Sequence, residues 1–162
     1  RKTRFADIPA AWMKAQADAR GDMDVEVVDL RDFALPMFDE PASDAYMPSS
    51  NAAAVAWQKK IASFDGYIFV VAEYNHSVTG ALKNASMGGA RALEHLRGIA
   101  VELQMVPTRN AVHIGGGDFW KVHPGMGGSG NLADIEGALL PSAAATLDDL
   151  AWWAKATMAA RG

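Results

Sequence analysis

The chain has 162 residues, of which 50% are apolar, 21% charged and 9% aromatic, the size and balance of one domain able to bury a core of its own. It contains no cysteine, which excludes disulfide scaffolds, cysteine nucleophiles and thiolate metal sites. A net charge of −4 with no basic stripe argues against nucleic acid as a partner. No apolar run is long enough for a transmembrane helix and no charged-then-apolar signal opens the chain, so a cytoplasmic protein with no membrane partner is expected.

Arg1–Phe5 is a short basic segment. Asp7-Ile8-Pro9 has the form of a helix start, with Asp7 as N-cap and Pro9 in the first turn. Ile8, Ala11, Trp12, Ala15 and Ala19 recur at helical spacing, and Gly21 ends the run. Val25–Leu30 is dense in β-branched residues and reads as a strand. Arg31–Pro48 carries Pro36, Pro41 and Pro48 and reads as a long surface loop. Ser49 or Ser50 is expected to cap a second helix reaching about Ser63, with Val55, Trp57 and Ile61 inward. After an Asp65-Gly66 turn, Tyr67–Ala72 is the strongest predicted strand, and its unbroken apolarity is that of a parallel strand covered on both faces.

Glu73–Ser77 is a polar loop directly after that strand. Helical spacing starts at Val78, breaks at Gly88-Gly89 and resumes through Leu93, Leu96, Ala100 and Leu103, because glycine costs about 1 kcal/mol in a helix interior. Ala111–Ile114 reads as a short strand, Gly115–Gly130 as a glycine-rich loop, and about Pro141 to Ala160 as a final amphipathic helix. The alternation predicts a single α/β domain over residues 1–162 with a parallel sheet, although only three strands are legible.

In such sheets ligands lie outside the carboxyl ends of the strands. Glu73, Tyr74, Asn75 and His76 lie at such an end and offer a carboxylate, a phenol, an amide and an imidazole to a planar heteroaromatic ring. An ordinary strand-to-helix loop with Asn75 or Ser77 as cap is the plainer reading of composition alone. Arg1, Thr3 and Arg4 precede a helix N-terminus and could cradle a phosphate; a solvated terminus is again the plainer reading. Gly125-Met126-Gly127-Gly128-Ser129-Gly130 fits G-x-G-x-x-G, but it neither follows a strand nor precedes a strand with an acidic residue at the right distance, so it reads as a flexible lid or an intersubunit loop. His76, His95, His113 and His123 show no zinc spacing, so no metal is expected, and no serine-hydrolase elbow is present. Trp152-Trp153 reads as one indole in the core and one at a subunit contact.

Glu73-Tyr74-Asn75-His76-Ser77-Val78-Thr79-Gly80-Ala81-Leu82-Lys83-Asn84-Ala85 resembles the signature loop of the NADPH-dependent FMN reductase family, the flavodoxin-like group that includes chromate, quinone and azo reductases. Ala72 and Thr79 depart from it, each standing where proline is usual. Gly88-Gly89-Ala90-Arg91-Ala92, Pro107–Ile114, Arg1–Trp12, Asp29–Asp32 and Asp148–Trp153 resemble other parts of the family, so the likeness spans nearly the whole sequence.

The resemblance implies a flavodoxin-like three-layer α/β/α fold, FMN as cofactor, and NADPH or NADH as co-substrate. It implies that Arg1, Arg4 and Thr3 line the FMN phosphate, that Glu73, Tyr74, Asn75 and His76 follow the isoalloxazine and ribityl edge, and that Gly88, Gly89 and Arg91 close its other side. No catalytic residue is implied, because the flavin carries the hydride chemistry. The implied partners are a small-molecule electron acceptor (a quinone, azo compound, metal oxyanion or flavin) and further copies of the chain in a homodimer or homotetramer, with Trp120 and His123 capping the site. Set against the family pattern, the first and fourth strands would fall before Arg1 and between Met87 and Gly88, so the 162 residues are expected to omit parts of the full polypeptide there. Two other readings stand beside it: a flavodoxin-like electron carrier, and a flavin-free interaction protein on a decayed reductase fold.

Overall fold

The computed structural model describes residues 4–36, 41, 47–72 and 90–161. It divides into two compact units, one formed by Arg1–Val25 with Ile68–Gly162 and the other by Glu26–Tyr67.

In the larger unit, helix α1 spans Asp7–Asp18. It ends three residues before the predicted stop, and Gly21 takes a positive φ of 69° in the turn beyond. The later helices of this unit are α3 (Ala90–Glu102), the short α4 (Gly116–Val122) and the long α5 (Glu136–Arg161). Helix α2 (Ala52–Ala62) belongs to the smaller unit. Two 3₁₀ turns, Pro124–Met126 and Leu132–Ile135, lead from α4 into α5.

The start of α5 differs from the sequence reading. Pro141 is the sixth residue of the helix, not its first. The turn Leu132–Ile135, capped by the Asn131 side chain on the Ala133 N–H at 3.1 Å, brings the chain in already helical. A proline this near the N-terminus removes one hydrogen bond without ending the helix. Leu139, Ala143, Leu147 and Ala151 then recur every four residues as a buried stripe.

Two apolar clusters hold the larger unit. Met13, Ala17, Ala143 and Leu147 join α1 to α5, with Trp12, Met23, Val25, Ile68 and Val112 packed around them. Val122, Leu132, Ile135 and Leu139 form the second, flanked by Phe5, Ile8, Trp12, Val112 and Ile114. The Trp12 indole Nε1–H donates to Glu136 Oε1 at 2.9 Å and ties α1 to the start of α5. Val25, Ile68 and Val112 come one from each predicted strand, and all three meet the same α1–α5 layer.

Those three segments form no inter-strand ladder among the described residues. Their composition specifies a strand only where a neighbouring chain accepts its N–H and C=O groups. Tyr67–Ala72 is not covered on both faces either: Phe69 is 50% exposed, and Val70 and Ala72 are also exposed. Among the described residues no strand flanks it, and Ile68 packs against the α1–α5 cluster.

In the smaller unit, the cap of α2 is Asn51, whose side-chain oxygen accepts from the Ala53 and Ala54 N–H groups at 2.9 and 3.2 Å. Ser49, predicted as a cap, accepts from the Asn51 N–H instead, at 3.1 Å. Val55, Trp57 and Ile61 are half-buried, and Trp57 meets Phe33 edge-on at 5.0 Å. Lys60 pairs with Glu26 at 2.7 Å.

Candidate functional site

The start of α1 is built around Arg4. Its Nε and Nη2 donate to Asp7 Oδ1 at 2.7 and 2.5 Å. Asp7 is therefore not the helix cap. Ala6 is the N-cap residue and supplies no side-chain acceptor, so the first-turn N–H groups have no capping side chain. A guanidinium fork beside the positive end of a helix dipole is a donor set suited to a phosphate.

The residue after Arg4 fixes this segment to the second half of the chain. The Phe5 ring lies 4.8 Å from the His123 ring and 5.7 Å from that of Phe119. Phe119 and His123 are one helical turn apart across α4, with ring centres 4.7 Å apart. Ile114, which ends the third predicted strand, packs in the same cluster as Phe5 and Ile8. The glycine-rich region thus lies beside Phe5 and Ile8, at the carboxyl end of Ala111–Ile114.

That region, predicted as one loop over Gly115–Gly130, is α4 followed by a tightly bonded turn. The His123 carbonyl accepts from the Met126 and Gly128 N–H groups at 2.9 and 3.0 Å. Lys121 O accepts from Ser129 N at 2.9 Å and Val122 O from Gly130 N at 3.0 Å. Gly127 has a φ of 82°, and a Cβ on Gly128 would lie 2.7 Å from the backbone of His123 and Lys121. These bonds tie the segment down, where a flexible lid or an intersubunit loop was expected. The glycine pattern serves a chain reversal, not the opening of a nucleotide-binding helix. His123 Nδ1 is buried without a hydrogen-bond partner, and Trp120 is exposed beside Phe119.

Among the predicted site residues, Arg4 lies at the start of α1 and Arg91 is exposed in the first turn of α3. Arg1, Thr3, Glu73, Tyr74, Asn75, His76, Gly88 and Gly89 lie outside the described residues. His95 and His113 are exposed. Trp152 and Trp153 stack edge-on at 4.7 Å, and neither is buried, so the expected core indole is absent from both positions. Among the described residues no group of three or more His, Asp or Glu side chains is placed to hold a metal ion, and no helix is long and apolar enough to cross a membrane. Sequence reasoning missed Asp7 as the arginine's partner and Phe5 as the anchor. The i, i+3 spacing of Arg4 and Asp7 was the available signal for the first.

Comparison with known proteins gives the class. The family model for NADPH-dependent FMN reductase matches residues 1–86. An NAD(P)H-dependent FMN reductase of Schizosaccharomyces pombe is 36% identical over 141 positions, covering 70% of this chain and 68% of that protein. An NAD(P)H-dependent FMN reductase of Nectria sp is 34% identical over 91 positions, covering 52% and 45%. An NAD(P)H:quinone oxidoreductase of Solanum tuberosum is 30% identical over 118 positions, covering 59% of each chain. The chain belongs to the NADPH-dependent FMN reductase family, which is flavodoxin-like α/β.

The chain spans less than half the length of the Nectria protein. In the yeast match, 141 aligned positions take in only 70% of these 162 residues, so the yeast protein carries residues inside the matched stretch that this chain lacks. No solved structure matches. The family's cofactor can be tested against the described residues at its phosphate end alone. There the Arg4 fork is a donor pair suited to a phosphate, at present held by the Asp7 carboxylate; the first turn adds no free donor, since the Ile8 and Ala10 N–H groups donate to Phe5 and Ala6 O at 3.0 and 3.1 Å and Pro9 has no N–H.

Proposed function

We propose that the chain is an NAD(P)H-dependent FMN oxidoreductase that passes reducing equivalents in alternating half-reactions to a small acceptor such as a quinone, an azo compound, a metal oxyanion or free flavin. The observation that carries this is the family match over residues 1–86 together with Arg4 at the uncapped start of α1. When bound, FMN supplies the two-electron hydride chemistry, taking hydride from the nicotinamide and returning electrons to the acceptor.

The chain's own residues bind and orient. Arg4, with Arg1 and Thr3, holds the phosphate through charge-assisted hydrogen bonds. Glu73, Tyr74, Asn75 and His76 set the ring edge, and Gly88, Gly89 and Arg91 close the opposite side. Phe5, clamped by Phe119 and His123, keeps the arginine segment in register with α4. The fold proposed around them is three-layered, with Val25–Leu30, Tyr67–Ala72 and Ala111–Ile114 in a parallel sheet, and the assembly is a homodimer or homotetramer.

The experiment is an absorption spectrum of the protein after FMN addition, followed by NADPH or NADH. Flavin bands that bleach with nicotinamide and recover with quinone, azo dye or chromate support the reading, and parallel double-reciprocal plots support alternating half-reactions. Bands that persist with either nicotinamide indicate an electron carrier. The residues missing relative to the yeast protein favour one other reading, a flavin-free interaction protein. Absence of flavin bands at saturating FMN would establish it.

A further inference from the structure

We propose that Asp7 is a built-in competitor for the phosphate end of the flavin, making the cofactor readily exchangeable. This rests on the reading of Arg4 as a phosphate ligand. The Arg4 edge that donates to Asp7, formed by Nε and Nη2, is the same two-donor fork a phosphate would use. Both nitrogens converge on one carboxylate oxygen, Asp7 Oδ1. Asp7 is also the first residue of α1, so its charge lies at the helix end that favours anions. The guanidinium that would recruit a phosphate is thus already turned toward an anion of the chain itself.

The geometry favours displacement over permanent closure. The pair is solvent-exposed, with side chains 30% and 49% accessible, and such pairs are weak. A phosphate monoester carries close to two charges against one for the carboxylate, and it offers more acceptor oxygens. It therefore takes Arg4 from Asp7. The displaced carboxylate stays on the same helical turn, close to the new dianion, and its repulsion shortens the residence of the bound flavin. Glu136, the first residue of α5, accepts from the Trp12 indole at 2.9 Å and does not share this role.

The test measures quenching of FMN and riboflavin fluorescence at low salt in the full chain and in Asp7→Asn, Asp7→Ser, Asp7→Glu and Arg4→Ala. Riboflavin lacks the phosphate and so isolates the phosphate end. Asp7→Asn and Asp7→Ser are expected to tighten FMN about three- to tenfold, mainly through a slower off-rate, with riboflavin unchanged. Asp7→Glu should stay near the parent, and the gain should shrink as salt rises. An unchanged or weaker FMN affinity in both neutral variants, each with parent-like thermal stability, would overturn the competitor role. If Arg4→Ala still abolishes the preference for FMN over riboflavin, the parent reading survives that loss. If the unmodified chain shows no such preference, the phosphate reading of Arg4 fails and the competitor role fails with it.

Discussion

Arg20 sits just beyond α1 and binds two acids at once: Asp22 through Nε and Nη2, each at 3.0 Å, and Asp148 through Nη1 at 2.5 Å. These hydrogen bonds hold the Asp22 carboxyl below the ordinary aspartate value of about 4, with the more distant Lys155 charge adding to the effect. A depressed carboxylate stabilises the fold above its unfolded pKa, and that contribution is lost as pH falls through the lower folded value. Asp22→Asn should therefore flatten the dependence of melting temperature on pH below about 4 and leave its slope near neutrality unchanged. A second residue-scale prediction concerns Gly128. Alanine there would push a methyl to 2.7 Å from the His123 and Lys121 backbone, and should destabilise the fold by about 1–3 kcal/mol in urea unfolding. The arginine segment was legible at this scale because a basic residue before a helix start has one obvious chemistry. The Arg4–Asp7 pair was not: the same aspartate satisfies the rule for a cap and the rule for an i, i+3 ion pair, and only geometry chooses between them.

At the level of elements, α1, α2, α3 and α5 were legible from spacing and punctuation, and their ends less so. Pro141 misled because proline rules describe an isolated helix, whereas here a capped 3₁₀ turn delivers the chain already wound. The helical pattern of Gly116–Val122 was hidden under its flanking glycines, whose frequency reads as loop. What α5 contributes can be measured at Leu147, 2% exposed at the α1–α5 contact. Leu147→Ala should cost about 2–5 kcal/mol by chemical denaturation, the range for emptying a packed site. Leu140, on the exposed side of the same helix, should tolerate alanine with a loss near 0.5 kcal/mol.

Across the whole molecule, sequence pattern identified the family and the order of helices, and the family model and the yeast relative place the chain in that family. The sheet was a different matter. Composition marks which segments can be strands, but a ladder is a property of pairs; one residue of each candidate segment, Val25, Ile68 and Val112, packs against the same helical cluster. Loss of FMN-dependent nicotinamide oxidation in Arg4→Ala, with the melting temperature within 2–3 °C of the parent, is the expected result where the arginine acts on the ligand and not on the fold.

The ring contacts of Phe5 also bear on the order in which the molecule comes together. Phe5 is held by Phe119 and His123, more than 110 positions downstream, so closing this contact means closing a loop over most of the chain. Contacts of such separation are slow to form and come late in folding. Phe5, next to Arg4, thus takes its place only after α4 and its bonded turn exist. A fragment ending at residue 86 would keep the whole stretch matched by the family model and lose the rings that seat it. Such a fragment should show no preference for FMN over riboflavin. In refolding experiments on the full chain, that preference should appear with the slowest kinetic phase, after the bulk of the helical signal has returned.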